Sequence, residues 1–143
     1  MQLLSRTKSK SILILCAMLM LAAILGACSS GGGDQASGTP APLPPGNAAH
    51  GAELFTQSIN GAPPCNTCHM TDDTTLVGPG MKGFGERAGT RVEGQTAEQY
   101  ARESIEHPSS FVVSGFANAM YNDYASKLTP QDTADLIAYL MTL

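Results

Sequence analysis

The sequence predicts a small all-α domain over residues 48–143, and three observations carry that expectation. Thr129-Pro130 opens a run in which Leu136, Tyr139, Leu140 and Leu143 recur at i, i+3, i+4 and i+7, the period of a helix with one apolar stripe. Thr96-Ala97-Glu98-Gln99 has the capping-box pattern of a second helix start, Thr with Gln three residues later. No stretch of the domain reads as a strand.

Residues 1–27 have the layout of a targeting segment. Arg6, Lys8 and Lys10 form a positive region, and Ile12 to Leu25 an apolar run shorter than the roughly 20 residues a spanning helix needs. A permanent N-terminal membrane anchor is the alternative. Leu25-Gly26-Ala27-Cys28 resembles the lipobox of bacterial lipoproteins, which implies cleavage before Cys28 and its lipidation. More than one acyl chain anchors a protein stably where a single chain does not.

The mature chain then holds five basic residues (Lys82, Arg87, Arg91, Arg102 and Lys127) against twelve acidic ones, a formal net charge of −7. Its acidity argues against nucleic acid, whose phosphates would repel it. It suits a basic docking patch on a protein partner, and equally suits mere solubility. Residues 28–47 read as the lipidated cysteine and a flexible linker, Ser-Ser-Gly-Gly-Gly followed by Thr-Pro-Ala-Pro-Leu-Pro-Pro-Gly, with nothing to bury in a core. Such a linker spans roughly 25 Å in root-mean-square terms.

Within the domain, Asn47 caps a helix expected over Ala48–Ile59, with Ala48, Ala52, Phe55 and Ile59 on one face. Gly61-Ala62-Pro63-Pro64 stops it. Cys65-Asn66-Thr67-Cys68-His69 follows, the Cys-x-x-Cys-His attachment motif of a c-type haem. Each thiolate adds to one porphyrin vinyl group, the two-residue gap lets one tight turn reach both, and His69 supplies the proximal nitrogen to iron. A thioredoxin-like dithiol would want a βαβ setting, which is absent. A zinc site would need a fourth ligand from His50, His107 or a carboxylate. With Cys16 lost in the signal and Cys28 lipidated, no cysteine is left for a disulfide.

Thr71 to Gln95 shows no periodicity and holds six glycines (Gly78, Gly80, Gly83, Gly85, Gly89 and Gly94), a density that permits close backbone approach to a flat ligand. The helix opened by Thr96 runs to about His107, where Pro108 ends it, with Tyr100, Ala101 and Ile105 inward. Ser109 to Ser126 is irregular but apolar, as loops that cover something are. In the last helix Ile137, Ala138 and Met141 widen the stripe, so that it should be largely buried. A domain of this size packs poorly without a large apolar ligand at its centre.

This order of elements resembles the class I c-type cytochromes across Ala48 to Leu143. Gly51 and Phe55 match the family's Gly-x-x-x-Phe in the first helix, and Tyr139 the aromatic of the last. The resemblance implies a cytochrome c fold whose N- and C-terminal helices cross beside a covalently bound haem. Val77-Gly78-Pro79 resembles the stretch whose proline carbonyl accepts the Nδ1–H of the proximal histidine, so Pro79 would fix His69 and raise its basicity. The family's distal ligand is a methionine from the loop before the last helix, which here points to Met120, followed by Tyr121 rather than proline. Met81 is expected in the wall, Met141 in the core, and Met70 too near the motif to swing over. A bis-histidine site through His107 or His50 is the alternative. Arg87 and Arg91 lie where a haem propionate could be met, although Glu86 intervenes after Gly85.

The two resemblances together, to class I cytochromes over Ala48 to Leu143 and to the lipobox at Cys28, imply a lipid-anchored monohaem carrier of single electrons between membrane-bound donor and acceptor complexes, with no substrate and no catalytic residue. It would sit, lipid-anchored, on the outer face of the cytoplasmic membrane or on the periplasmic side. The rival readings are a haem protein with an open distal site that binds ligands or acts on peroxide, and a permanent haem subunit of a larger oxidoreductase.

Overall fold

A computed structural model describes residues 40–143; the targeting segment, Cys28 and the linker as far as residue 39 lie outside the described residues. Five α-helices follow in order among the described residues: α1 (Ala48–Thr56), α2 (Phe84–Ala88), α3 (Ala97–Glu106), α4 (Tyr124–Lys127) and α5 (Pro130–Leu140), with a 3-10 turn at Cys65–Thr67 between α1 and α2. No strand occurs among them, only isolated bridges joining Ile59 to Ala62 and His69 to Thr75. No helix of the described residues is long and apolar enough to cross a membrane.

The caps explain the helix starts. Asn47 Oδ1 accepts from the N–H groups of Ala49 and His50 at 3.0 and 3.3 Å. The capping box of α3 is complete, with Thr96 Oγ1 accepting from Gln99 N–H and Gln99 Oε1 accepting from Thr96 N–H. At α5, Thr129 and Asp132 make the same reciprocal pair, and Pro130 occupies the first helical position.

Three elements differ from expectation, the shortest being α4, which starts at Tyr124 inside the stretch to Ser126 that reads as irregular. α1 ends at Thr56, three residues before Ile59. Asn60 (φ 50°) and Gly61 (φ 86°) take positive dihedrals in succession, forming a tight two-residue turn closed by Ala62 N–H donating to Ile59 O at 2.9 Å. Asn-Gly favours that turn over another turn of helix. The run from Thr71 to Gln95 was expected to be aperiodic throughout, yet it contains α2, which buries Phe84 and Ala88 one turn apart. Five residues are too few for a period to show.

α1 and α5 make the most extensive helix contact. Gly51 is the reason they can. A Cβ there would lie 2.5 Å from the Asp135 carbonyl carbon, closer still to its oxygen, and 2.8 Å from Tyr139 Cβ. One turn on, Phe55 is 2% exposed and meets the Tyr139 ring edge-on, centroids 5.5 Å apart at 64°. Leu54, Leu136, Ile137 and Leu140 complete this side of the core. Each such burial stabilises by about 1.5–3 kcal/mol.

Residues 41–47, read from sequence as the end of the linker, are packed on the helices, and the compact unit begins at Ala41. Leu43 lies against the core. The Ala41 carbonyl accepts from Arg102 Nη1 at 2.6 Å and the Pro45 carbonyl from Gln131 Nε2 at 2.9 Å. Proline and glycine there do not preclude packing, because side chains of α3 and α5 satisfy the carbonyls that the segment cannot pair internally.

Asp135 sits under this segment, 2% exposed. Its carboxylate accepts from Asn47 N–H at 2.6 Å, His50 Nδ1–H at 2.7 Å and Gln131 Nε2 at 2.8 Å. Burial alone would push its carboxyl up; the three donors outweigh that and hold it below the ordinary carboxylate range. The His50 imidazole is raised, first by its hydrogen bond to Asp135, then by that charge with Glu53 and Asp132. A lowered acid stabilises above its unfolded value and loses this as pH falls. A raised histidine stabilises below its unfolded value and loses this as pH rises through the folded one. Both contributions are therefore full between about pH 4 and 6.5. We expect the denaturation midpoint to decline on both sides of that window, and His50→Gln to flatten the alkaline limb and make the acid limb shallower, because the imidazolium that helps hold Asp135 low is gone.

Candidate functional site

α2, α3, α5, the 3-10 turn and the loop before α4 surround one cavity that opens to solvent, about 1190 Å³ when the solvent-open space is included. Its lining is largely apolar. Nine of the thirteen buried apolar residues, Phe55, Phe84 and Tyr100 among them, form its wall, so the cavity is the centre of the core rather than a surface cleft. Val77 (56% exposed), Phe111 (38%) and Val112 (37%) line it while remaining open to solvent, and they mark its mouth.

Cys65, Cys68 and His69 all line this cavity. Pro64 enters the motif extended, and the 3-10 turn then brings Cys68 N–H to Cys65 O at 3.1 Å and His69 N–H to the same oxygen at 3.0 Å. This winding turns two thiols and the imidazole toward one space. Both cysteines are free thiols, and burial pushes the Cys65 thiol up to about 11.

His69 Nδ1–H donates to the Pro79 carbonyl at 2.9 Å, the contact that the resemblance implied. Once Nδ1 carries that proton, Nε2 presents a lone pair, as a metal ligand must. The loop that brings Pro79 there is tied down by Gly78 N–H to Cys68 O (3.0 Å), Met81 N–H to Met70 O (2.8 Å) and Lys82 N–H to Asp72 O (3.1 Å). Gly78 lies flat against the imidazole: a Cβ would stand 2.7 Å from Nδ1 and 2.8 Å from Nε2. The Val77-Gly78-Pro79 stretch is legible in the sequence, whereas the tight contact of Gly78 with the His69 ring arises only in three dimensions. Gly78→Ala should leave thiol attachment intact but shift the His69 ring, at a cost of about 1–3 kcal/mol. A changed Soret spectrum with undiminished covalent haem would show this.

Met120 also lines the cavity, on the irregular loop from Ser109 to Asp123, and packs partly buried against the core. Met81 lines it too, two residues beyond Pro79 on the loop that serves His69, which agrees with a place in the wall. Met70 is 38% exposed and Met141 packs on the core; neither lines the cavity. His50 is engaged with Asp135, and His107 caps the end of α3 exposed to solvent; neither lines the cavity, so the bis-histidine alternative lacks its second ring.

Arg87 and Arg91 extend to the cavity wall. Arg87 donates to the Gly80 carbonyl and makes no ion pair among the described residues. Burial, and then the charge of Arg91, pull it below the ordinary arginine range, though a guanidinium stays charged. Two cations beside an apolar cavity suit a ligand with an apolar body and carboxylate arms. Tyr124, which the sequence offered only as one aromatic among several, lines the cavity and donates its hydroxyl to Pro63 O at 2.8 Å. No group of three or more His, Cys, Asp or Glu arranged to hold a metal ion occurs among the described residues.

Two thiols one turn apart, an imidazole with its outer nitrogen engaged, a thioether and a wide apolar cavity define a helical domain built to hold a porphyrin covalently. The chain belongs to the cytochrome c family: the family model described as Cytochrome c matches residues 48–143. No curated protein matches the chain. Membership makes it a haem-based electron carrier whose cofactor is haem c, covalently bound and holding iron.

Proposed function

We propose that the chain is a membrane-tethered monohaem cytochrome c that passes single electrons between membrane redox complexes and catalyses no reaction of its own. The observation that carries this reading is the shared cavity of Cys65, Cys68, His69 and Met120. The two thiols would hold the porphyrin through thioether bonds, with His69 Nε2 and the Met120 sulfur as axial ligands. Haem c supplies a one-electron change at iron, and methionine–histidine ligation raises its reduction potential. Pro79 orients His69, Arg87 and Arg91 offer charge to the propionates, and the apolar walls exclude water.

If His69 and Met120 both held the iron, no open site for a substrate would be left there, and electrons would pass at the mouth bounded by Val77, Phe111 and Val112. That exposed apolar rim on an acidic domain suits a partner with a complementary apolar contact and a basic surround. The Leu25-Gly26-Ala27-Cys28 sequence supports export to the periplasmic side and lipid attachment at Cys28, which would raise the local concentration of membrane partners. Met120→Ala is the test of the axial assignment. The ferric protein should lose its far-red charge-transfer band and bind carbon monoxide rapidly when reduced. Retention of the band would assign the sixth position to another sulfur.

A further inference from the structure

The short helix α4 follows Met120 by only four residues and is tied to the chain segment that leads into the haem-attachment motif. Tyr124 Oη donates to Pro63 O at 2.8 Å, from a side chain that is 6% exposed. Asn60 Nδ2 donates to Lys127 O at 2.7 Å, satisfying a carbonyl at the end of α4 that has no partner within so short a helix. Both bonds therefore run from α4 to the 60–63 turn.

The turn is shaped for this. Asn60 is the single non-glycine residue at positive φ among the described residues, and this dihedral places its side chain at the apex of the Ile59–Ala62 turn. Asparagine tolerates the conformation better than most residues. Beyond it, Pro63 and Pro64 have restricted φ, so the carbonyl that Tyr124 holds is stiffly connected to Cys65. On the other side, Tyr124 stacks edge-on with Tyr121 at 5.1 Å and 77°, and Tyr121 is bonded to Met120. A continuous path of close contacts thus joins the Met120 backbone to the turn that presents Cys65 and His69.

We propose that Tyr124 and Asn60 form a two-bond latch that positions the Met120 loop against the attachment motif, making both of them positioning residues for methionine ligation. The inference rests on Met120 being the axial ligand. Neither residue touches the iron. Each acts by restricting how far the loop can swing from the cavity. Burial keeps the Tyr124 hydroxyl protonated far above ordinary phenol behaviour, so the donor persists across the working pH range. Without the latch, the irregular loop would be held mainly by side-chain packing and would open more often.

The test uses the ferric holoprotein, with imidazole as an added ligand that binds only when the methionine releases. Tyr124→Phe keeps the ring and removes the hydroxyl; Asn60→Gly removes the amide and suits the positive φ. Each should raise apparent imidazole affinity by about five- to tenfold, with the double variant above either. Amide exchange at Ser126 and Leu128, whose N–H groups bond to Asp123 O and Tyr124 O, should quicken in parallel. Thr96→Ala is the reference: it removes an exposed cap and lowers the folding equilibrium by about fivefold, yet should leave imidazole affinity unchanged. Unchanged imidazole binding in both latch variants, or an equal rise in Thr96→Ala, overturns the latch while leaving Met120 as ligand. If Met120→Ala itself retains the far-red band, the ligand assignment fails and the latch fails with it.

Discussion

Serine at both Cys65 and Cys68 is expected to give a colourless chain with little helix. The thiols line the cavity and are free to form thioethers, and no other cysteine occurs among the described residues. Without those bonds, haem would be retained only by axial and apolar contacts. The effect on folding should be larger than that of an ordinary core substitution, because nine of the thirteen buried apolar residues face this cavity. Leaving such a wall without its filling costs about 24 cal/mol per Å³ of residual void, against a total stability of about 5–15 kcal/mol for a typical domain. Far-UV circular dichroism of the double variant, expressed alongside the native chain in cells competent for haem attachment, would measure the loss. A well-folded haem-free domain would contradict it.

Gly51→Val should be the most damaging substitution away from the cavity. The added Cβ would strike the Asp135 carbonyl and the Tyr139 Cβ, and both belong to the α5 backbone or its first side-chain atom, where no rotamer change gives relief. α1 and α5 must therefore separate. Separation would loosen the Phe55–Tyr139 contact and the donors that Asn47 and His50 direct at buried Asp135. Overpacking of this kind costs about 1–3 kcal/mol by itself, and loss of partners around a buried carboxylate adds to it. A fall of about 3 kcal/mol or more in unfolding free energy is expected from denaturant titration of the holoprotein, with Soret absorbance reporting haem retention.

Local rules made much of this molecule legible. Asn47, Thr96 and Thr129 cap helices where their side-chain oxygens said they should, because a cap is decided within three residues of the chain. The Cys65–His69 motif was equally plain, since its spacing is dictated by the chemistry of attachment. α2 and α4 are not legible because about one helical turn carries no period, nor is the early end of α1, because the Asn60-Gly61 turn competes with helix on nearly equal terms. Asp135 gave no signal at all. In a helix that reads as amphipathic it looks like a surface acid, and only Asn47, His50 and Gln131 together make its burial tolerable.

By itself the sequence determined the class of domain, the positions of its main helices and the covalent chemistry it carries, because each depends on neighbours along the chain. Tertiary structure alone decided that residues 41–47 belong to the packed unit, that Gly78 has room only for the His69 ring, and that α4 is tied to the turn before Cys65. Those contacts join residues as much as 88 positions apart, as Asn47 and Asp135 are. Their energy depends on distances that no local pattern encodes, so they exist only once the chain has closed around its centre.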